Sequence, residues 1–258
     1  MKEKKLNHEL RDITHPYLQL SSVLEFLMSD PEINTLLAKA NDNMIGRLGF
    51  TDHGRVHSKI VSLNALKLLL TLKDKVEPSI INERDGELED SLIAVLVGAW
   101  LHDIGCSITR KNHEVLGVIK AQSLIKRVLR GVYASDERVA KIKTYIEEGI
   151  LCHLGTYKSS TVEAGIICIA DGTDITRGRA RLSYLLGGRD IHDFSAMSIE
   201  SVSFKKSGKG VVIIVKMDDS AGIFQVEETL VKKLDSTKLK DYFRIKVKIK
   251  GEKKQIEY

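Results

Sequence analysis

Histidine and aspartate residues at or near the ends of predicted helices give this chain the chemistry of a metal site. Of the eight histidines, His53 and His57 are four residues apart and share one face of a predicted helix. His102 and Asp103 are adjacent and follow ten nearly continuous apolar residues. An ionised aspartate at the end of a buried helix is unfavourable unless a cation pairs with it. Imidazole and carboxylate ligands together favour a divalent transition metal, Mn, Fe, Zn, Co or Ni, over Ca, with Mg as an alternative.

Three more candidate ligands follow along the chain. His113 opens the next predicted helix, His153 closes a later one, and Asp171 comes directly after the apolar run AGIICIA. One histidine at a helix end is more often structural than a ligand. The prediction of a metal site therefore depends on all of these candidate ligands occurring together, in this order along the chain.

That ordered set resembles the H…HD…D signature of HD-superfamily metal-dependent phosphohydrolases. LHDIG lies some 45 residues after His57 and some 68 residues before Asp171. FTDHGRVHSKIV is similar to the family's first-ligand helix, and AGIICIADGTDITRGRAR to the helix with its final aspartate. The match spans roughly residues 45–185. The resemblance implies a helical bundle with one metal ion held by His57, His102, Asp103 and Asp171.

Two further elements bear on the number of metal ions. NHEVLG resembles an element of binuclear HD phosphodiesterases, which implies that His113 binds a second ion. CHLG stands where those enzymes have a histidine pair, which implies the same for His153, with Asp103 bridging the ions. Asp103, His113 and His153 would then be catalytic, because two cations could activate a water and neutralise the phosphoryl oxygens. Either histidine could instead hydrogen-bond the substrate phosphate.

The chain departs from the family pattern in three places. Cys106 replaces the lysine of the common HDxGK sequence, which removes one expected contact to phosphate or carboxylate. Leu154 follows His153 where many members have a second histidine. The GYP sequence of cyclic-di-GMP phosphodiesterases is absent, and HLGTYK stands near that place, which argues against cyclic-di-GMP as the substrate.

Basic residues after Asp171 are the predicted substrate contacts. Arginines beside a metal site can bind phosphate through two parallel hydrogen bonds. The predicted substrate-binding residues are Arg177, Arg179, Arg181, His53 and Asp174, the last of which could instead orient a ligand or an arginine. Weaker alternatives are Lys59, Arg110 and Lys111. A surface helix with salt bridges would explain the same arginines.

Helices must position the candidate ligands, and helical periodicity recurs through the first 190 residues. Asp30 followed by Pro31 is typical of a helix start. Residues 74–88 contain Pro78 and Gly86 and predict a surface loop. Further helices are predicted at residues 53–73, 89–104, 112–130, 136–151, 159–174 and 177–186. The helix at 89–104 lacks a polar stripe, which predicts that it lies at the centre of the bundle.

The pattern changes after residue 188. Two β-branched runs around SGKG predict a hairpin. SAGIFQVEETLVKKL has helical periodicity, with Ser220 as the predicted N-cap, and DYFRIKVKIKG alternates as a strand does. We therefore predict a mainly α protein: an HD-type helical metal-binding domain over residues 1–198, then a small basic α+β domain over residues 199–258. Its predicted order is strand, strand, helix, strand.

Composition narrows the function classes. The 258 residues are 43% apolar and 29% charged, which is typical of a soluble globular protein. No apolar run reaches the roughly 18–20 residues of a membrane span, and the N-terminus lacks a secretory pattern, so we expect a cytoplasmic protein. Three cysteines without CxxC spacing argue against a disulfide framework or a zinc ribbon.

The excess positive charge lies in the C-terminal part, where residues 199–258 hold 14 basic and 9 acidic residues. The leading hypothesis is hydrolysis of a phosphate ester, such as a nucleotide or cyclic nucleotide, by metal-activated water. The alternatives are a metal-dependent ribonuclease with a basic RNA platform, and a non-catalytic nucleotide sensor. We expect a phosphorylated small molecule as the partner, RNA as an alternative, and a homo-oligomer formed through the C-terminal module. We also expect turnover of small substrates to survive removal of residues 199–258.

Overall fold

Helices account for most of the chain up to residue 198. The computed structural model describes residues 3–185, 191–208, 210–252 and 254–258, and of residues 181–183 and 193 it describes the backbone only. The helices are α1 (Glu3–Thr14), α2 (Leu18–Ser29), α3 (Pro31–Asn41), α4 (Arg55–Leu72), α5 (Ser79–Asn82), α6 (Leu88–Leu101), α7 (His113–Arg130), α8 (Asp136–Cys152), α9 (Val162–Gly172), α10 (Arg177–Leu185) and α11 (Ile191–Ser198). A π-helical turn follows α3, and a 3₁₀ turn, Ile104–Ser107, follows α6.

The predicted helices are confirmed, with differences at their ends. The prediction that His53 and His57 share one helical face is wrong, because α4 begins at Arg55 and His53 lies before it. Asp30 caps α3 as expected, since its carboxylate accepts a hydrogen bond from the backbone N–H of Ile33 at 2.9 Å and Pro31 takes the first helical position. The predicted loop at residues 74–88 contains the short helix α5.

Helix α6 lies at the centre of the bundle. Every residue from Asp90 to Leu101 is buried, and the helix packs against α2, α4, α7, α8 and α9. The prediction of a central buried helix is confirmed. Because α6 ends inside the bundle, His102 and Asp103 emerge within the core instead of at the surface.

Glycine brings the turn after α6 into direct contact with the start of α7. A Cβ atom at Gly105 would lie 2.0 Å from the carbonyl oxygen of His113 and 2.7 Å from the backbone nitrogen of Gly117. No side chain fits in that space. The helix predicted to reach residue 104 therefore ends at Leu101, because the chain turns here to pack against α7.

The C-terminal part of the chain forms a small sheet with a helical crossover. Its elements are β1 (Ile199–Ser207), β2 (Gly210–Met217), α12 (Ile223–Gln225), a π-helical turn (Val226–Val231), α13 (Lys232–Asp235), β3 (Phe243–Ile249) and β4 (Ile256–Glu257). Among the described residues the strand order is β1-β2-β3-β4. β2 is antiparallel to β1 and parallel to β3, and β4 is antiparallel to β3.

The predicted order strand, strand, helix, strand is confirmed, and β4 adds a two-residue strand that sequence patterning did not predict. The predicted cap at Ser220 is wrong. Ser220 lies inside a 3₁₀ turn, Ser220–Gly222, and Asp219 caps that turn, because its longer side chain accepts a hydrogen bond from the backbone N–H of Ala221 at 2.8 Å.

The apolar core is continuous between the bundle and the sheet. Buried residues of β2 and β3 belong to the same apolar cluster as those of the helices: Val211, Ile213, Val215, Ile245 and Val247. The predicted boundary between residues 198 and 199 coincides with the junction of α11 and β1. Independent folding of the two parts stays a prediction. Within the described part of the chain, no helix is both long and apolar enough to cross a membrane.

Candidate metal centre

Six predicted ligands come together from the ends of five helices. His57 lies in the first turn of α4, His113 opens α7, and His153 caps the end of α8. The others are His102 and Asp103 after α6, and Asp171 near the end of α9. Each is at most 3% exposed. Because the positions lie on separate elements, the fold of the whole bundle is needed to assemble the site.

One group of ligand atoms surrounds His57. Its Nε2 atom lies 3.1 Å from His102 Nε2, 3.1 Å from Asp171 Oδ1 and 3.3 Å from Asp103 Oδ2. Neighbouring ligands of one ion stand about 3 Å apart when each is roughly 2.1 Å from the metal. His57, His102 and Asp171 are close enough together to hold one ion.

A second group surrounds the other carboxylate oxygen of Asp103. His113 Nε2 and His153 Nε2 lie 3.1 Å apart, and they are 3.2 and 3.5 Å from Asp103 Oδ1. The two oxygens of Asp103 thus face two different histidine pairs. This arrangement is suited to a bridging carboxylate between two cations.

The second ring nitrogen of each histidine ligand has an oxygen acceptor. The acceptors of Nδ1 are Asp174 Oδ2 for His57 (2.7 Å) and the carbonyl oxygens of Ala99, Arg110 and Ile150 for His102 (2.8 Å), His113 (2.8 Å) and His153 (2.6 Å). For His57, His102 and His153 these partners assign the proton to Nδ1 and aim the Nε2 lone pairs into the site. His113 Nδ1 has a second neighbour, since Arg110 Nη1 lies 3.0 Å from it. Among the described atoms, Asp103 Oδ2 also lacks a hydrogen-bond partner. Converging lone pairs repel unless a cation lies between them, so the donor set fits a divalent metal ion.

The ionisation of the metal-free site follows from this crowding. Burial and the Arg179 charge oppose protonation of His57, but interactions with three neighbouring carboxylates outweigh them and raise the pKa to about 10. Burial lowers the pKa of His153 to about 3. Burial opposes ionisation of Asp103, yet the adjacent imidazoles keep the pKa of its carboxyl well below the usual range. A bound metal ion would replace the proton on His57 Nε2.

Comparison with known proteins agrees with this geometry. The HD domain family matches residues 56–176, a range that contains all six ligands. A relative from Methanocaldococcus jannaschii, "Uncharacterized protein MJ1020", is 37% identical over 237 residues, which cover 91% of each chain. The chain belongs to the HD-domain family. HD domains bind divalent metals and are generally hydrolases. No solved structure matched this chain.

The predicted substrate-binding residues of this HD domain differ in their placement. Arg179 lies at the centre with its side chain 13% exposed, and Nη1 lies 3.4 Å from Asp171 Oδ1. His53 is buried, and its Nδ1 atom lies 2.6 Å from the carbonyl oxygen of Thr51. Asp174 binds His57, so of its two predicted roles the contacts support orientation of a ligand.

Arg177 lies outside the centre, and the contacts of this residue do not support a role in substrate binding. Its guanidinium group pairs with Asp218 and donates to the carbonyl oxygen of Ile199 at 3.4 Å, because the start of α10 directs the side chain towards the sheet. The side chain of Arg181 lies outside the described residues, so its role stays a prediction.

A cavity of about 330 Å³ opens beside the ligands. The bundle contributes His53, Asp103, Asp171, Arg110 and Arg179 to its wall. Helix α11 contributes His192, and the C-terminal segment, residues 199–258, adds Gln225, Thr229, Lys232 and Lys233. Sequence reasoning missed Lys233, because one lysine among 14 basic residues of the tail has no distinguishing spacing.

Proposed function

We propose that this HD-domain protein hydrolyses a phosphate ester of a small molecule, such as a nucleotide or cyclic nucleotide, with metal-activated water. The observation that carries the proposal is the position of Asp103, whose two oxygens face two buried histidine pairs beside a cavity of substrate size. Pockets for small ligands begin at about 300 Å³. A longer polymer would have to extend beyond this cavity.

The chemistry that bound divalent ions supply here is a lowered pKa for water and neutralisation of phosphoryl charge. The chain holds the ligands in place for this task, because Asp174 and three backbone carbonyls fix the histidine rings. Burial of all six ligands excludes bulk water, which strengthens each electrostatic interaction. His53 Nδ1 is engaged by a carbonyl, so its Nε2 atom remains the ring's proton acceptor.

The cavity wall carries cationic side chains beside four carboxylates, and divalent ions bound at the metal centre would make it favourable for an anionic substrate. Four cations line it: Arg110, Arg179, Lys232 and Lys233. The guanidinium group of Arg110 lies 5.7 Å from the centre of the Phe50 ring, and its Nη1 atom lies 3.0 Å from His113 Nδ1. Within the described residues it has no ion pair with a carboxylate, so its other N–H donors are available to bind phosphate oxygens.

RNA hydrolysis is the second candidate, because the sheet presents cations on the face directed away from the core. We call the set Lys205, Lys216, Arg244, Lys246 and Lys248 the outer basic face. It could bind the phosphate backbone of an RNA. The 330 Å³ cavity favours the small-molecule reading.

The test is a turnover screen of the metal-loaded protein against nucleotides, cyclic nucleotides and short RNA, with Asp103→Ala and Asp241→Ala beside the wild type. Asp241 is an exposed aspartate outside the site. We expect mononucleotide hydrolysis by the wild type and by Asp241→Ala. Asp103→Ala should lose metal and lower kcat/KM by more than about 100-fold, since outer-sphere changes alone reach 10–100-fold.

Normal metal content in Asp103→Ala would contradict the ligand assignment. Cleavage of RNA without hydrolysis of any mononucleotide would favour the second candidate. Metal binding without turnover of any phosphate ester would contradict the proposed function.

A further inference from the structure

Lys233 carries a positive charge from the C-terminal segment into the metal centre. Its ammonium group contacts Asp171 Oδ2 and donates to the carbonyl oxygen of His153 at 2.9 Å. The residue is only 7% exposed. A buried lysine that pairs with a metal-ligand carboxylate needs a specific arrangement of its backbone.

Close packing against α9 supplies that arrangement. A Cβ atom at Gly172 would lie 3.2 Å from Lys233 Cδ and 3.4 Å from the Cα atom of Leu230, so glycine permits this approach. The backbone N–H of Ser159 donates to the carbonyl oxygen of Ser236 at 3.3 Å. Leu230 is buried in the common apolar core. The lysine is therefore held by an extended interface instead of a flexible tail.

The turn that follows α6 offers no cation of its own. Cys106 is buried against Ala40 and Met44, and its sulfur atom lies 3.9 Å from Asp103 Oδ1. A positive charge near the bridging carboxylate must therefore come from elsewhere in the fold.

The contacts of Lys233 leave room for both a metal ion and an anion. Asp171 directs Oδ1 towards His57 and Oδ2 towards the lysine, so the oxygen on the metal side stays available. An ammonium group has three N–H donors, and two of them are used by Asp171 and His153. Lys233 lines the cavity together with Asp103 and Asp171. The third donor is thus available to an anion bound over these carboxylates.

We propose that Lys233 binds a phosphoryl oxygen of the substrate, so that the active site is shared between the HD domain and the C-terminal segment. The inference rests on the proposed function and adds a residue to it. It reverses the sequence-based expectation that residues 199–258 can be removed without loss of small-substrate turnover.

The experiment measures binding of inorganic phosphate to the metal-loaded full-length protein by calorimetry, together with metal content and circular dichroism. Lys233→Met removes the charge but keeps an unbranched stem, and Lys233→Arg keeps the charge. Lys240→Met is the matched control, an exposed lysine of the same segment that pairs with Asp235. We expect wild-type metal content in Lys233→Met and a phosphate Kd raised about tenfold or more, in line with loss of one charged hydrogen bond. Lys233→Arg should recover part of the affinity, and Lys240→Met should match the wild type.

An unchanged phosphate Kd in Lys233→Met would overturn the role of Lys233 alone. Loss of metal from that variant would also overturn it, since the lysine would then act on Asp171 and not on phosphate. A metal-loaded wild type that binds no phosphate would overturn the proposed function as well. If Lys233→Met does not fold, reductive methylation of the wild type decides the question. Phosphate should slow labelling of Lys233 but not of Lys240, and equal protection of both would refute the proposal.

Discussion

The metal centre and the outer basic face show how differently buried and exposed charges act in one chain. The metal centre places two carboxylates and four imidazoles together, each at most 3% exposed. On the outer basic face, Lys216 and Lys248 are direct cross-strand partners, and both are exposed. Like charges are tolerated there because water screens them, whereas the buried ligands need a cation. The excess positive charge of the chain lies in residues 199–258. The residues that most need a bound cation lie in residues 1–198, where basic and acidic residues are equal in number.

The largest expected effect is on metal content, and it tests whether the centre holds two metal ions. His113→Ala should reduce bound metal from about two ions per chain to about one, because His153 and one oxygen of Asp103 cannot hold an ion alone. The measurement is elemental analysis after dialysis against buffer. His15→Ala, at an exposed position, is the control. A wild type that saturates at one ion would refute the binuclear assignment.

An intermediate effect is expected from the residue that orients His57. Asp174→Asn removes the negative charge that accepts the Nδ1 proton at 2.7 Å. The metal Kd should rise about 10–100-fold, as is typical when such a partner is lost. Competition with a chromophoric chelator measures this, and Asp241→Asn serves as the control. An unchanged Kd would show that the backbone packing of α4 alone orients the ring.

The smallest effect is expected on the outer basic face. The double variant Lys216→Ala/Lys248→Ala removes two exposed cations that form no ion pair with any residue the structure describes. The free energy of unfolding should therefore change by less than about 1 kcal/mol. Small-substrate kcat/KM should stay within about twofold of wild type, because screened surface charges contribute little. Chemical denaturation and steady-state kinetics measure these quantities. A large loss of small-substrate turnover would show that the exposed charges of the outer basic face act on catalysis as the buried charges of the metal centre do.

The candidate ligands could be predicted from sequence because their order resembles the H…HD…D signature, and helical periodicity placed each of them at or near the end of a helix. The substrate side was harder to predict. Spacing placed Arg177 and Arg181 on one helical face, but spacing does not tell which face is directed inward. The contacts bring Arg179 to the centre and direct Arg177 to Asp218. Lys233 and Asp171 are 62 residues apart in sequence, and no local pattern signals their contact. Tertiary packing alone decides both cases.

Gly105 determines which substitutions leave the spacing of the metal ligands intact. The contact between its Cα and the backbone of α7 fixes the interval between the Asp103 turn and His113 without any side chain. Substitutions in the cavity wall can therefore alter the accepted substrate while the spacing of the ligands is retained. One added methyl group at residue 105 would instead separate the two histidine pairs. The substrate range of such a protein can change through the residues of the cavity wall, whereas its reaction type depends on the backbone that spaces the ligands.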